Sequence, residues 1–264
     1  MRIRELRFGL LLVAMATPFV LHAQTPAQSA PTRAPNSSPA GAVPDLSGNW
    51  LGKGGGVSWD PTDPGGKKPM EMAMVPWARQ KTEAARPPFG ARATFDNTND
   101  PVQKYCDPPG VTRLFSYPYQ FMFVQTPKAV YILYEYTRVW RLIPLNQEHP
   151  KDPDVTWMGD SVGHYEGDTL VIDTIGFNDK TWLDMVGHPH SDALHLVERW
   201  RRLDQDTLEA EVTISDPKTY PKTFSGKRTY KLSAAPMAEA LCSLTEMQAF
   251  QNDVMTPTTK PPQK

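Results

Sequence analysis

Cysteine is nearly absent: Cys106 and Cys242 are the only two in 264 residues. They stand far apart and neither has a close companion, which argues against a metal centre built on paired thiols. Two readings stay open for them, a disulfide closing a long loop or two separate buried thiols. An excess of one charge is missing too. The 28 Lys and Arg are matched by 29 Asp and Glu, and no basic cluster stands out, so nucleic acid and anionic membrane surfaces are poor partners. No P-loop, dinucleotide fingerprint or His-Glu-x-x-His occurs, which argues against a nucleotide cofactor and against the familiar metalloprotease design.

What is present begins with an address. Arg2, Arg4 and Arg7 precede an apolar run from Gly9 to Leu21, and Leu21-His22-Ala23 ends on a small residue. Basic, apolar and small in that order is the pattern of a secretory signal peptide, cleaved here after Ala23. The run is too short for a convincing membrane span. The protein is therefore expected in the periplasm or outside the cell. Cleavage removes three Arg and one Glu, so 28 and 29 charged residues become 25 and 28. Residues 24–44 are rich in Pro, Ala, Ser and Thr and read as a disordered linker, and 256–264 as a loose tail. Residues 45–255 are left as a single domain with a substantial core.

That domain is written in β-hairpins. Gln120–Gln125 and Ala129–Tyr136 flank Thr126-Pro127-Lys128, and 137–145 continues as a third strand. Ser161–Tyr165 and Thr169–Ile175 flank Glu166-Gly167-Asp168, where Gly-Asp supplies positive φ angles. Ala193–Leu203 and Thr207–Ile214 flank Asp204-Gln205-Asp206, and Phe224–Leu232 is the last strand. One short helix is expected over Pro76–Arg86, with Pro76 in its first turn. Eight or nine antiparallel strands make the fold all-β, an up-and-down barrel or, alternatively, a two-sheet β-sandwich. A barrel of that size leaves room for one small ligand.

Gly48-Asn49-Trp50, at the head of the first strand, resembles the Gly-x-Trp signature of the lipocalin and avidin superfamily. The resemblance implies a calycin-like barrel with Trp50 plugging its closed end. A second resemblance spans nearly the whole mature chain. Pro44–Trp50, Cys106–Val111, Gly163–Asp184 and Gly187–Arg199 are similar to a family of exported bacterial proteins common in acidobacteria and sphingomonads. Many of its members carry His before the Ser of Gly159-Asp160-Ser161. This chain has Asp160, so a site that needs histidine there is not carried over. The resemblance implies export and brings no settled activity.

The chemistry must come from the residues. His188-Pro189-His190-Ser191-Asp192-Ala193-Leu194-His195 holds three of the six histidines, and Glu198 and Arg199 follow. Such a concentration of titratable groups points to function more than to packing. On a strand, His195, Val197 and Arg199 share one face, and Leu194, Leu196, Glu198 and Trp200 the other. The expectation places His190, His195 and Arg199 around a single cavity, with Asp173 or Asp192 beside them. His190 or His195 is then the general acid or base, oriented by Asp192 or Asp173, and Arg199 holds an oxyanion or carboxylate. His164, Tyr134, Tyr136, Trp140, Asn178, Asp179 and Trp182 are the expected substrate-binding residues, the rings facing a hydrophobic or aromatic molecule. The plainer alternatives are a turn cap at Asp192, cross-strand ion pairs at Glu198 and Arg199, and tryptophans that serve the core.

Three function classes stay open. The leading one is a cofactor-independent enzyme, a lyase, isomerase or hydrolase, that does acid–base chemistry on a small hydrophobic or aromatic molecule. Clustered His, Asp and Arg favour it, since a carrier of apolar ligands has little use for them. The second is a lipocalin-like ligand-binding protein. The third is a metal-dependent protein with His188, His190 and His195 on zinc or copper, against which the restraint of Pro189 weighs.

Overall fold

The computed structural model describes residues 43–245, apart from 53–55, 57, 65, 68–71 and 95–96. The expected signal peptide, nearly all of the linker and the tail lie outside the described residues. Nine strands form one antiparallel sheet. β1 (Asn49–Gly52) comes first, then three short helices, α1 (Pro76–Ala84), α2 (Pro101–Tyr105) and α3 (Val111–Leu114). β2 (Gln120–Gln125), β3 (Ala129–Tyr134) and β4 (Trp140–Pro144) follow. The rest are β5 (Asp160–Glu166), β6 (Thr169–Ile175), β7 (His195–Asp204), β8 (Thr207–Ser215) and β9 (Phe224–Ser233). The all-β class holds, and Gly167 makes the expected turn with φ of 61°. Two helices were not expected: α2, capped by the Asp100 side chain on Val102 N, and α3.

In space the strands run β4-β3-β2-β1-β9-β8-β7-β6-β5. Two meanders, β1–β4 and β5–β9, therefore join where β1 pairs with β9, Trp50 opposite Leu232. In a row of nine alternating strands the two outer ones point the same way. Accordingly, β4 and β5 have no antiparallel ladder, and among the described residues the backbone pairing at that edge is a parallel bridge from Leu145 to Gly163. Gly163 permits the approach, because a Cβ there would stand 2.7 Å from Ile143 Cγ2. The hydrogen-bonded ladder stays open at this edge, so the sheet is curled but not a closed barrel.

The concave face buries the apolar half of each alternation. Trp50 is fully buried, as expected, and its indole N–H donates to Leu46 O at 2.8 Å. Trp200 stacks on Phe115 at 5.3 Å and meets Phe123 edge-on at 5.2 Å. The space among Leu114, Phe115, Phe121, Tyr134, Trp200 and Tyr230 has no room for a water molecule. The interior ligand cavity expected from strand number is thus filled with rings. One ion pair sits among them. Arg141 on β4 reaches across to Glu198 on β7 at 2.6 Å, and also to Ser161 and Thr174. Outside the sheet, Cys106 and Cys242 are joined in a disulfide spanning 136 residues, with Cα atoms 5.5 Å apart.

Candidate functional site

β7 decides where the expected catalytic residues lie. Leu194, Leu196, Glu198 and Trp200 are buried in the core, so His195 and Arg199 emerge on the convex face. The single cavity expected for His190, His195 and Arg199 does not form. Three large apolar side chains outweigh the polar set in choosing the inward face, and Glu198 is tolerated there because Arg141 meets it. Arg199 pairs with Glu166 at 2.7 Å, and His164 meets the same carboxylate at 3.1 Å. This is an exposed cross-strand ladder, the plainer of the two readings.

His195 belongs to a different group. Its Nε2 lies 2.8 Å from Asp173 Oδ2, and Asp173 Oδ1 is 2.9 Å from His149 Nε2. His149 Nδ1 in turn meets Asp160 Oδ1 at 2.6 Å. The hydrogen bond to Asp173 raises the pKa of His195 above the ordinary value. Asp173 is depressed, because its bonds to the two imidazoles outweigh the cost of burial. Sequence reading found Asp173 and His195 but missed His149, which sits in the β4–β5 connection with no motif around it.

The segment from Thr181 to Asp192 is fastened point by point. Asp184 is fully buried and accepts from the backbone N–H of Trp59, Val186 and His188, with His188 Nδ1 at 2.6 Å. His188 borders a cavity of about 10 Å³ with Ser58, Asp60 and Arg92, the size of one water. His190 Nδ1 lies 3.1 Å from Ser191 O, and a carbonyl only accepts, so Nδ1 carries the proton. Nε2 then takes the Thr181 hydroxyl at 2.6 Å. Gly110, with φ of 75°, leaves space for that pair, since a Cβ would come within 3.0 Å of Thr181 Oγ1. Asp216 holds Ser191 through both its N–H and its hydroxyl, and the Tyr220 hydroxyl donates to Pro189 O. His188, His190 and His195 thus point to three different partners and do not converge as a ligand set.

The same fastenings build a cleft of about 840 Å³. Its floor is Asn178, Asp179, Lys180, Ser191 and Asp192. One wall is α1, docked on the β8–β9 connection through Val75 N to Thr219 O and Trp77 Nε1 to Lys218 O. That places Trp77 and Lys81, one helical turn apart, at the opening. The other wall is Val155–Trp157, fixed because Thr156 bonds to Gly176 O and receives Asn178 N. Each tryptophan carries a lysine over its ring, Lys81 at 5.5 Å from Trp77 and Lys180 at 5.8 Å from Trp157. Behind the floor, burial lowers the pKa of His190 and keeps its ring neutral.

Of the expected binding residues, the cleft therefore gathers Asn178 and Asp179, with Asp192 from the catalytic set. Asp192 is largely exposed and paired with Lys218 at 2.7 Å. The others go elsewhere. Tyr134 is buried in the core, Tyr136 packs on Tyr117 and Tyr119, and Trp140 is 57% exposed on the convex face. Trp182 lies under the guanidinium of Arg113, itself buried and doubly bonded to Asp100. Gly159-Asp160-Ser161-Val162-Gly163 spells Gly-x-Ser-x-Gly, a match that sequence reading passed over. It runs into and along β5 instead of making a strand-to-helix turn, and Ser161 is buried against Arg141, so no nucleophile elbow forms. No family model, curated protein or solved structure matches the chain.

Proposed function

We propose that the cleft between α1 and the 155–157 wall is the working site of an exported small-molecule-binding protein. The observation that carries this is the meeting of Trp77, Trp157, Asn178, Asp179 and Asp192 around a cavity of about 840 Å³. That volume lies in the range of small-molecule sites, whereas the sheet interior is filled. The ligand is a small molecule with one apolar or aromatic face for the indoles and polar groups for the floor. The Cys106–Cys242 bond supports export, because such bonds persist in oxidising compartments. In this reading the sheet is a calycin-like barrel whose seam is closed by side chains, and the chain belongs with the exported bacterial proteins it resembles.

A second reading, cofactor-independent acid–base catalysis, is favoured by one further feature. His195 is oriented by Asp173, His149 and Asp160 and lies three residues from Asp192 in the cleft floor. An imidazole held by a carboxylate and left partly open to solvent is suited to moving a proton. A fragment library screened by ligand-observed NMR tests the site. Binders of the wild type are expected to be lost in Trp77→Ala/Trp157→Ala. Binders that survive the double change would place the site elsewhere. Turnover of any binder that vanishes in His195→Ala would select the enzyme.

A further inference from the structure

We infer that the ligand class of the cleft is a saccharide, with Trp77 and Trp157 as platforms for pyranose rings. This rests on the cleft being the ligand site. The lining is the reason. Lys81, Lys180, Asp179 and Asp192 bring both signs of charge to one cavity, and the Asn178 amide lines it with them. A purely apolar ligand would strip water from these groups and return no hydrogen bonds. An aromatic acid would satisfy the lysines but face Asp179 and Asp192, and an aromatic amine would meet the reverse. A sugar hydroxyl donates and accepts, so it pairs with an ammonium, a carboxylate or an amide alike.

The two indoles complete the match. A pyranose ring carries an apolar face of C–H groups ringed by hydroxyls, and a flat indole beside planar polar side chains is complementary to both. Trp77 is held before any ligand arrives, by its N–H on Lys218 O at 2.9 Å. Asn178 spends Oδ1 on Lys180 N at 3.2 Å, which leaves its NH₂ to donate. The lysine ammoniums over the two rings are exposed enough to swing onto ligand hydroxyls. The cleft volume of about 840 Å³ exceeds that of a single pyranose ring.

The full chain would be titrated with cellohexaose, maltohexaose, xylohexaose and hexagalacturonate, following tryptophan fluorescence, with benzoate and benzylamine as aromatic controls. At least one oligosaccharide is expected to bind, and Trp77→Ala and Trp157→Ala each to weaken it by about tenfold. Asp179→Ala, checked by circular dichroism for an unchanged fold, should weaken the sugar and, by removing a repelling carboxylate, leave benzoate no weaker. Saccharide binding indifferent to all three changes would overturn the inference. Binding of an aromatic control alone, lost in the tryptophan variants, would overturn it and leave the cleft standing. No binding by either class would remove both.

Discussion

His188 and His190 stand two residues apart and answer to opposite forces. Burial works against a charged His188, but the Asp184 carboxylate beside it wins and the pKa is raised. Burial also dominates at His190, where the Ser191 carbonyl and the charges of Asp216 and Asp179 do not offset it, and the pKa is lowered. The signs follow from linkage. His188 contributes stability that is fully present below about 6.5 and lost as pH rises through its raised value. Asp184, lowered by His188 and its backbone donors, contributes above about 3.9 and loses it as pH falls through its own value. His190 acts the other way, since below about 6.5 the unfolded chain takes up a proton that the folded ring refuses. Ring ¹⁵N NMR near that pH is expected to show His188 as imidazolium and His190 as the neutral Nδ1–H tautomer. Asp184→Asn should drop the His188 pKa below the ordinary value; an unchanged titration would mean the pair is not electrostatically coupled. The histidine cluster was legible in the sequence, but the partners were not. Thr181 and Asp184 lie in the neighbouring run, whereas His149 reaches Asp173 only through the fold.

β4 is held to the second meander by a side chain where a backbone ladder is missing. Arg141 reaches Glu198 with two hydrogen bonds and touches Ser161 on β5 and Thr174 on β6. Arg141→Met would leave Glu198 charged in the core without a counter-ion, held only by the Trp200 indole N–H at 2.9 Å, at a cost of about 3–5 kcal/mol. Arg141→Met/Glu198→Leu should recover much of that, because an apolar pair of similar volume removes the stranded charge. Urea denaturation of the three proteins measures both, and a double variant as weak as the single would refute the account. Strand identity was readable because alternation and Gly167 are local signals. The helices α2 and α3 escaped because five and four residues are too few to show a helical period. The inward face of β7 was misjudged for a different reason. The partner that makes Glu198 acceptable lies 57 residues earlier, and no local pattern reveals it.

The largest covalent constraint on the molecule is the Cys106–Cys242 bond. It closes a loop of 136 residues, for which chain entropy gives about 5 kcal/mol. Cys106→Ser/Cys242→Ser is expected to lose about 3–5 kcal/mol in urea unfolding. A loss under about 1 kcal/mol would show that the denatured chain already keeps these ends together. The sequence left this bond as one of two alternatives because spacing carries no distance. An up-and-down barrel implies that the first and last strands pair, as β1 and β9 do, whereas the missing ladder between β4 and β5 depends on the directions of all nine strands and has no local signal. That topology has a consequence for the connection at residues 145–159, the only backbone link between the β1–β4 and β5–β9 meanders. The β1–β9 ladder and the disulfide both cross between the same two halves. A single cleavage in that connection would yield two fragments that remain zipped edge to edge and covalently tethered. The protein is in effect a heterodimer written as one polypeptide.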